Sequence, residues 1–224
     1  VPIKDLINVS GVRSTSGSTI FKNYIPKYSD FLVKHIENNG GIIYAKSNTP
    51  EFGAGANTFN EVFGFTRNPW NTNLSAAGSS GGAAVSIATG MAWVAHGSDM
   101  GGSLRNPASF CGVVGMRPSI GRVSSSIYNK VDSTLGVEGP MARNIKDLAM
   151  FFDAMVGENK DDPLSIKTEG LSFLEQAKSD WKPKKIAFSY DLGLPPVDKR
   201  IKKVIKDVVN LLDKEGVIVE EKHP

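Results

Sequence analysis

The chain has 224 residues, and its 26 lysines and arginines against 23 aspartates and glutamates leave a formal charge of only +3. Hydrophobic residues make up 40% and charged ones 22%, the balance of an ordinary globular domain, which excludes a disordered tail, a collagen-like fibre and a coiled coil. No run approaches the roughly 18 apolar residues of a membrane-spanning helix, three excess charges are too few to argue for nucleic acid, and a single cysteine, Cys111, excludes an internal disulfide and a multi-cysteine zinc site.

In chain order, Tyr28 to Asn39 suits a helix, with Ser29 as N-cap, Phe31, Leu32, His35 and Ile36 on one face, and Gly40-Gly41 as the stop. Ile42 to Ala45 reads as a buried strand. Ser80 to Thr89 is a helix of small residues closed by Gly90, a composition that permits close packing on several sides. Trp93 to Ala95 and Gly112 to Met116 read as short buried strands. Asn144 caps a helix whose apolar positions Ile145, Leu148, Ala149, Phe152 and Met155 follow helical spacing up to Gly157. Residues 158–183 are polar, with one short helical pattern around Leu171 to Ala177. Lys185 to Tyr190 is a strand, Val197 to Lys214 an amphipathic helix, and Val217 to Val219 a further strand after Gly216. Helices alternating with short apolar strands predict an α/β fold with a mixed, mostly parallel central sheet flanked by helices on both faces.

Charge divides the chain. Residues 51–120 hold only three basic and three acidic side chains, whereas residues 121–224 hold 17 of each sign. The middle therefore reads as core plus a site, and the rest as a solvated periphery. The expected organisation is a single, partial domain: a core with the site over 1–157, a polar linker or insertion over 158–183, and a peripheral strand-helix-strand over 184–224. The chain opens Val1-Pro2-Ile3-Lys4 with no initiator methionine, as an internal segment of something longer would.

The 23 glycines, about 10% of the chain against an average near 7%, concentrate in one place: seven of them, with five serines, lie between Gly78 and Ser103. The two runs are Ala77-Gly78-Ser79-Ser80-Gly81-Gly82 and Gly97-Ser98-Asp99-Met100-Gly101-Gly102-Ser103. Glycine there lets a ligand approach the backbone, and consecutive amides can hold an oxyanion or a phosphate. A phosphate-binding loop needs a lysine after its last glycine, but Gly82 precedes Ala83 and Gly102 precedes Ser103. Gly78 to Gly82 satisfies the Gly-x-Ser-x-Gly elbow, which requires a histidine base. Of the downstream candidates, His96 sits in a strand pattern and His223 at the chain end. Ser179 to Lys182 matches Ser-x-x-Lys in the polar linker with no partner motif. A serine nucleophile can instead take a buried lysine as base, since desolvation favours the neutral amine. The residues alone leave open which lysine.

The run Gly78 to Gly82 followed by Gly97 to Ala108 resembles the amidase signature family. The resemblance extends through Phe110 to Pro118, Gly121-Arg122-Val123 and Gly139 to Arg143, and back to Asn68-Pro69-Trp70 and Lys46 to Glu51. It covers most of residues 1–157; the remainder matches in outline. Two features depart from it: Ala77 stands where glycine is common, and Ser98 where threonine is commoner. Neither is expected to touch a catalytic atom.

The resemblance implies the amidase signature fold and a Ser–cis-Ser–Lys triad. The family's Val-Pro-(apolar)-Lys-Asp strand falls on Val1 to Asp5, so the implied base is Lys4, with Ser79 as relay after a cis peptide at Gly78 and Ser103 as nucleophile. Lys46 is the competing base. Amides of Met100, Gly101, Gly102 and Ser103 are the implied oxyanion hole, and Ser80, Asp99 and Arg105 the supports around it. The implied activity is hydrolysis of a carboxylic amide through a serine acyl-enzyme. The alternatives are the amidase-like subunit of a tRNA-dependent amidotransferase and a non-catalytic anion-binding module. The expected partner is a small-molecule amide, with no cofactor, metal or nucleic acid; a homo-oligomer is allowed, and the expected location is the cytoplasm. Family members extend beyond both ends, so the pocket walls are expected from later residues and from the variable segment 124–138, and the 224 residues alone are expected to turn over poorly.

Overall fold

Short strands and helices alternate along the chain, and the computed structural model describes residues 1–124, 134–168, 170–194 and 196–223. Most of the segment expected to line a pocket, 125–133, lies outside the described residues. Two compact units divide between Lys178 and Ser179. Among the described residues no helix is long and apolar enough to cross a membrane.

The first unit opens with β1 (Pro2–Lys4), every residue of it buried, paired in parallel with β2 (Ala45–Ser47). The strand expected at Ile42 to Ala45 is thus displaced toward the C-terminus. Three-residue β1 sets where pairing begins, at Pro2 opposite Ala45, and leaves Ile42 and Tyr44 exposed. Helix α1 (Phe31–Asn38) starts later than expected, its N-cap shifted by one residue from Ser29 to Asp30. Both side chains are used elsewhere: Asp30 Oδ2 accepts from Asn8 N at 2.8 Å and Ser29 Oγ from Ser10 N at 2.9 Å, tying the segment after β1 to the helix start.

A short hairpin, β3 (Phe59–Asn60) and β4 (Gly64–Phe65), precedes α2 (Gly81–Ala88). Then come β5 (Val94–Asp99), α3 (Arg105–Cys111), β6 (Val114–Gly115) and β7 (Val137–Ala142). These strands form an antiparallel sheet in the order β5-β7-β6. The fold is α/β as expected, but its ladders are less parallel than expected: β1–β2 is parallel and this larger sheet is not. The expectation rests on helices alternating with strands; β7, which is not among the expected strands, lies between β5 and β6 and pairs with both in the antiparallel sense. Helix α4 (Ile145–Met155) is capped as its sequence implies, Asn144 Oδ1 accepting from Asp147 N at 2.9 Å. Asp153 on α4 in turn accepts from the amides of Phe173 and Leu174, at 2.7 and 3.1 Å, at the start of α5 (Phe173–Lys178).

Two apolar clusters hold this unit. Leu32, Val33 and Ile36 of α1 meet Phe151, Phe152 and Met155 of α4 with Ile3 of β1 among them. Ala83, Ala84 and Ile87 of α2 meet Ala95, Leu104, Ala108, Cys111 and Met141. Small residues let α2 sit close to its neighbours: a Cβ on Gly82 would come within 2.3 Å of Asn48 N. Fully burying a residue such as Leu104 or Ile87 contributes about 1.5–3 kcal/mol, so these clusters fix the elements on which the serine loops hang.

In the second unit β8 (Lys185–Phe188) pairs in parallel with β9 (Ile218–Glu221), joined by α6 (Lys199–Lys214). The apolar stripe of α6 splits. Ile205, Val209 and Leu212 are partly buried, whereas Ile201, Val204, Val208 and Leu211 are exposed.

Candidate active site

The first glycine-serine run is an irregular loop ending where α2 begins, and its Gly78–Ser79 peptide is cis. Buried Thr58 clamps it: its hydroxyl donates to Ala77 O at 2.9 Å and accepts from Gly81 N at 3.0 Å. Ser79 is buried beside it. Ser80 occupies the N-cap position of α2 without capping it. Its hydroxyl instead donates to Ser98 O and accepts from Ser98 N, both at 3.2 Å, while its amide donates to Ser103 O at 3.2 Å. Ser80 therefore joins the two serine runs. A cleft of about 700 Å³ opens alongside, lined by residues including Phe52, Gly55, Asn57 and Phe59; Asn57 also packs against Gly78.

Into this junction β1 delivers Lys4, which is fully buried. Lys4 Nζ donates to Ser79 Oγ at 2.6 Å, Ser80 Oγ at 2.9 Å and Ser98 Oγ at 3.0 Å. Lys46, the competing lysine, points elsewhere. Its Nζ donates to Asp5 Oδ1 at 2.9 Å, Ile7 O at 2.7 Å and Ser14 Oγ at 2.8 Å, so all three protons are engaged in fixing the turn after β1. Burial pushes its ammonium below the usual lysine range, and the Asp5 carboxylate partly offsets this.

The second run turns around Asp99, the last residue of β5. Its buried carboxylate accepts from Gly102 N (2.8 Å) and Leu104 N (3.1 Å), from Arg105 Nε and Nη2 (3.1 Å each) and from Arg117 Nη1 (3.1 Å). Burial alone would raise its pKa, but the Arg105 bonds and the two amides outweigh this and hold the carboxyl well below the usual carboxylate range. Gly102 departs from expectation. Its amide is committed to Asp99 rather than presented outward, and its φ of +117° is one that side chains avoid. Its place is in shaping the turn. Gly101 and Met100 are exposed, and a Cβ on Gly101 would meet nothing within 4 Å, so space is open over this backbone; Ser103 is half-buried behind it.

The structure thus brings Lys4, Ser79, Ser80 and Ser103 to one junction, with Asp99 and Arg105 holding the loop before Ser103. Ser98 needs correction: its hydroxyl lies within hydrogen-bond distance of Lys4 Nζ, contrary to the expectation that this position is remote. Ala77 likewise stands in the conformation glycine favours, with φ +56°. Sequence reasoning missed Thr58, Arg117 and Glu138, whose contacts are all long-range. His96 is fully buried and bonded to Glu138 and to Lys4 N, as a core histidine rather than a base for Ser79 or Ser103. His223 lies against Ser189 in the second unit.

Comparison with known proteins agrees with this geometry. The family model described as Amidase matches residues 1–224. A curated relative, a glutamyl-tRNA(Gln) amidotransferase subunit of Carboxydothermus hydrogenoformans, is 38% identical over 221 residues, covering 99% of this chain and 46% of that protein. Among solved structures, the glutamyl-tRNA(Gln) amidotransferase subunit of the same type from Thermotoga maritima superposes with a TM-score of 0.91 at 31% identity, covering all of this chain and 50% of that one. A bacterial aryl acylamidase of the amidase signature family gives the same score at 30% identity, covering all of this chain and 47% of that one. The chain spans about half the length of the relatives it matches. With the family model matched from end to end and the serine-lysine junction in place, the chain belongs to the amidase family.

Proposed function

We propose that this chain carries the catalytic centre of an amidase that hydrolyses a carboxylic amide through a serine acyl-enzyme. One observation supports the reading above others: a fully buried lysine amine 2.6 Å from Ser79 Oγ, in the loop bonded to Ser103. Desolvation disfavours an ammonium relative to an amine; as the neutral amine, Lys4 keeps two protons for Ser80 Oγ and Ser98 Oγ and turns its lone pair to Ser79 Oγ, which then donates across the same 2.6 Å. Ser103 Oγ attacks the carbonyl carbon as its proton passes to Ser79 Oγ, whose own proton passes to Lys4 Nζ. The tetrahedral oxyanion lies against the amides of Met100, Gly101 and Ser103, with Gly102 serving through its bond to Asp99. The proton returns through Ser79 to the leaving nitrogen as the C–N bond breaks, and water then cleaves the acyl ester by the same relay. In the full chain, Ser103→Ala should lower hydrolysis of a para-nitroanilide at least about 1,000-fold; unchanged turnover would sink the assignment.

The 38% identity to an amidotransferase subunit favours a second reading, in which the same chemistry releases ammonia from glutamine for a partner subunit. Glutaminase activity that appears only when the partner is added would select it.

A further inference from the structure

One face of the β5–β7 ladder carries a buried polar pair that the proposed proton relay does not use. In that ladder His96 is opposite Pro140 and Ser98 opposite Glu138, so Ser98, His96 and Glu138 share a face. His96 is fully buried and Glu138 is 1% exposed. His96 Nε2 lies 2.8 Å from Glu138 Oε2, and Nδ1 accepts the Lys4 backbone amide at 3.2 Å. An Nδ1 that accepts an N–H carries no proton itself, so Nε2 is the donor to Glu138. The Glu138 carboxylate thereby selects the tautomer that leaves Nδ1 free to receive Lys4 N.

The consequence falls on Lys4. Strand β1 pairs with β2 on one edge, and toward β5 the Lys4 amide goes to the His96 ring. Ser98, two residues along β5, contacts Nζ of the same lysine at 3.0 Å. The β5 strand therefore grips Lys4 at both ends, backbone and amine. A buried acid–histidine pair is a poor investment for stability, because an apolar pair of similar volume often serves as well or better. Displacing a reacting group by about 1 Å can cost about 100-fold in rate.

We infer that His96 and Glu138 are positioning residues for the lysine of the active site: Glu138 sets the His96 tautomer, and His96 fixes the β1 backbone so that Lys4 Nζ stays on Ser79 Oγ. This rests on the amidase reading. The test compares the full chain with H96L/E138L, which replaces the whole pair by packed apolar side chains, and with H96N/E138L, in which Asn Oδ1 restores an acceptor at the place of Nδ1. For H96L/E138L, which leaves Lys4 N without its His96 acceptor, the melting temperature should fall by several degrees, while kcat on a para-nitroanilide falls about 10–100-fold with KM within about twofold, and H96N/E138L should recover part of that melting temperature. H96N/E138L should recover kcat to within about fivefold of the unsubstituted chain. Full kcat in H96L/E138L, or an equal loss in both double variants, overturns the proposal. A second measurement is independent of turnover: long-range ¹H–¹⁵N spectra of the imidazoles at neutral pH should show His96 protonated at Nε2 alone, and a proton on Nδ1 overturns it even in an inactive protein. Failure of the amidase reading shows separately, as an unsubstituted chain whose Ser103 is not labelled by a fluorophosphonate.

Discussion

Replacing Asp99 by asparagine should be far more damaging than its similar shape implies. Oδ1 accepts from Gly102 N, Arg105 Nη2 and Arg117 Nη1, and Oδ2 from Leu104 N and Arg105 Nε. Every partner is a donor, so an amide nitrogen placed on either side faces donors, and the charge that offsets two guanidinium groups is lost. Breaking a buried ion pair on one side costs about 3–5 kcal/mol, although Arg105 is half exposed, which pulls the expectation toward the lower figure. For a unit of this size that corresponds to a fall in Tm of about 6–20 °C. Urea unfolding followed by fluorescence in a Trp181→Phe background reports on Trp70 and Trp93 of the first unit alone. The sign with pH follows from the depressed pKa of Asp99. Its stabilisation is complete above the unfolded carboxyl value near 4 and is lost as pH falls below that toward the folded value. The gap between parent and Asp99→Asn should therefore be widest at neutral pH and narrow progressively below about pH 4. A variant within about 1 kcal/mol of the parent at pH 7, or a gap that stays constant down to pH 2, would refute the reasoning.

Three further outcomes follow from single contacts. Ala77→Gly should raise stability by about 1 kcal/mol in the same urea assay, because residue 77 holds φ +56° and a Cβ is unfavourable there. Ser98→Ala removes one hydroxyl from Lys4 Nζ and should lower kcat/KM about tenfold, the rate equivalent of one hydrogen bond, whereas Ser98→Thr should retain activity within about threefold. Cys111 is buried and its thiol is pushed up to about 11 by that burial, so iodoacetamide at pH 8 should leave it unmodified in the folded protein and alkylate it fully in urea.

What could be read from the sequence is what depends on near neighbours. Helix α4 was legible because its cap, Asn144, and its apolar spacing act within a few residues. The amphipathic α6 was legible for the same reason. Helix α3 was not recognised, because Pro107 reads as a breaker although it stands in the first turn, where proline is tolerated. Strand β7 was obscured by Gly139-Pro140; its burial and pairing come from β5 and β6, more than 20 residues away. In the site, resemblance carried Lys4, Ser79 and Ser103 because short motifs surround them. The contacts of Ser98 and Thr58, and the His96–Glu138 pair, depend on which strand lies opposite which and at what register. Nothing local in the chain encodes that.

The most direct measurement of the central claim is active-site labelling with a fluorophosphonate, mapped by peptide mass spectrometry in the full chain and in Lys4→Met. Modification confined to Ser103 in the parent, and slowed at least about 100-fold in Lys4→Met, is the predicted result. Labelling of another serine, or a Ser103 that reacts equally fast without Lys4, would contradict the serine–lysine account.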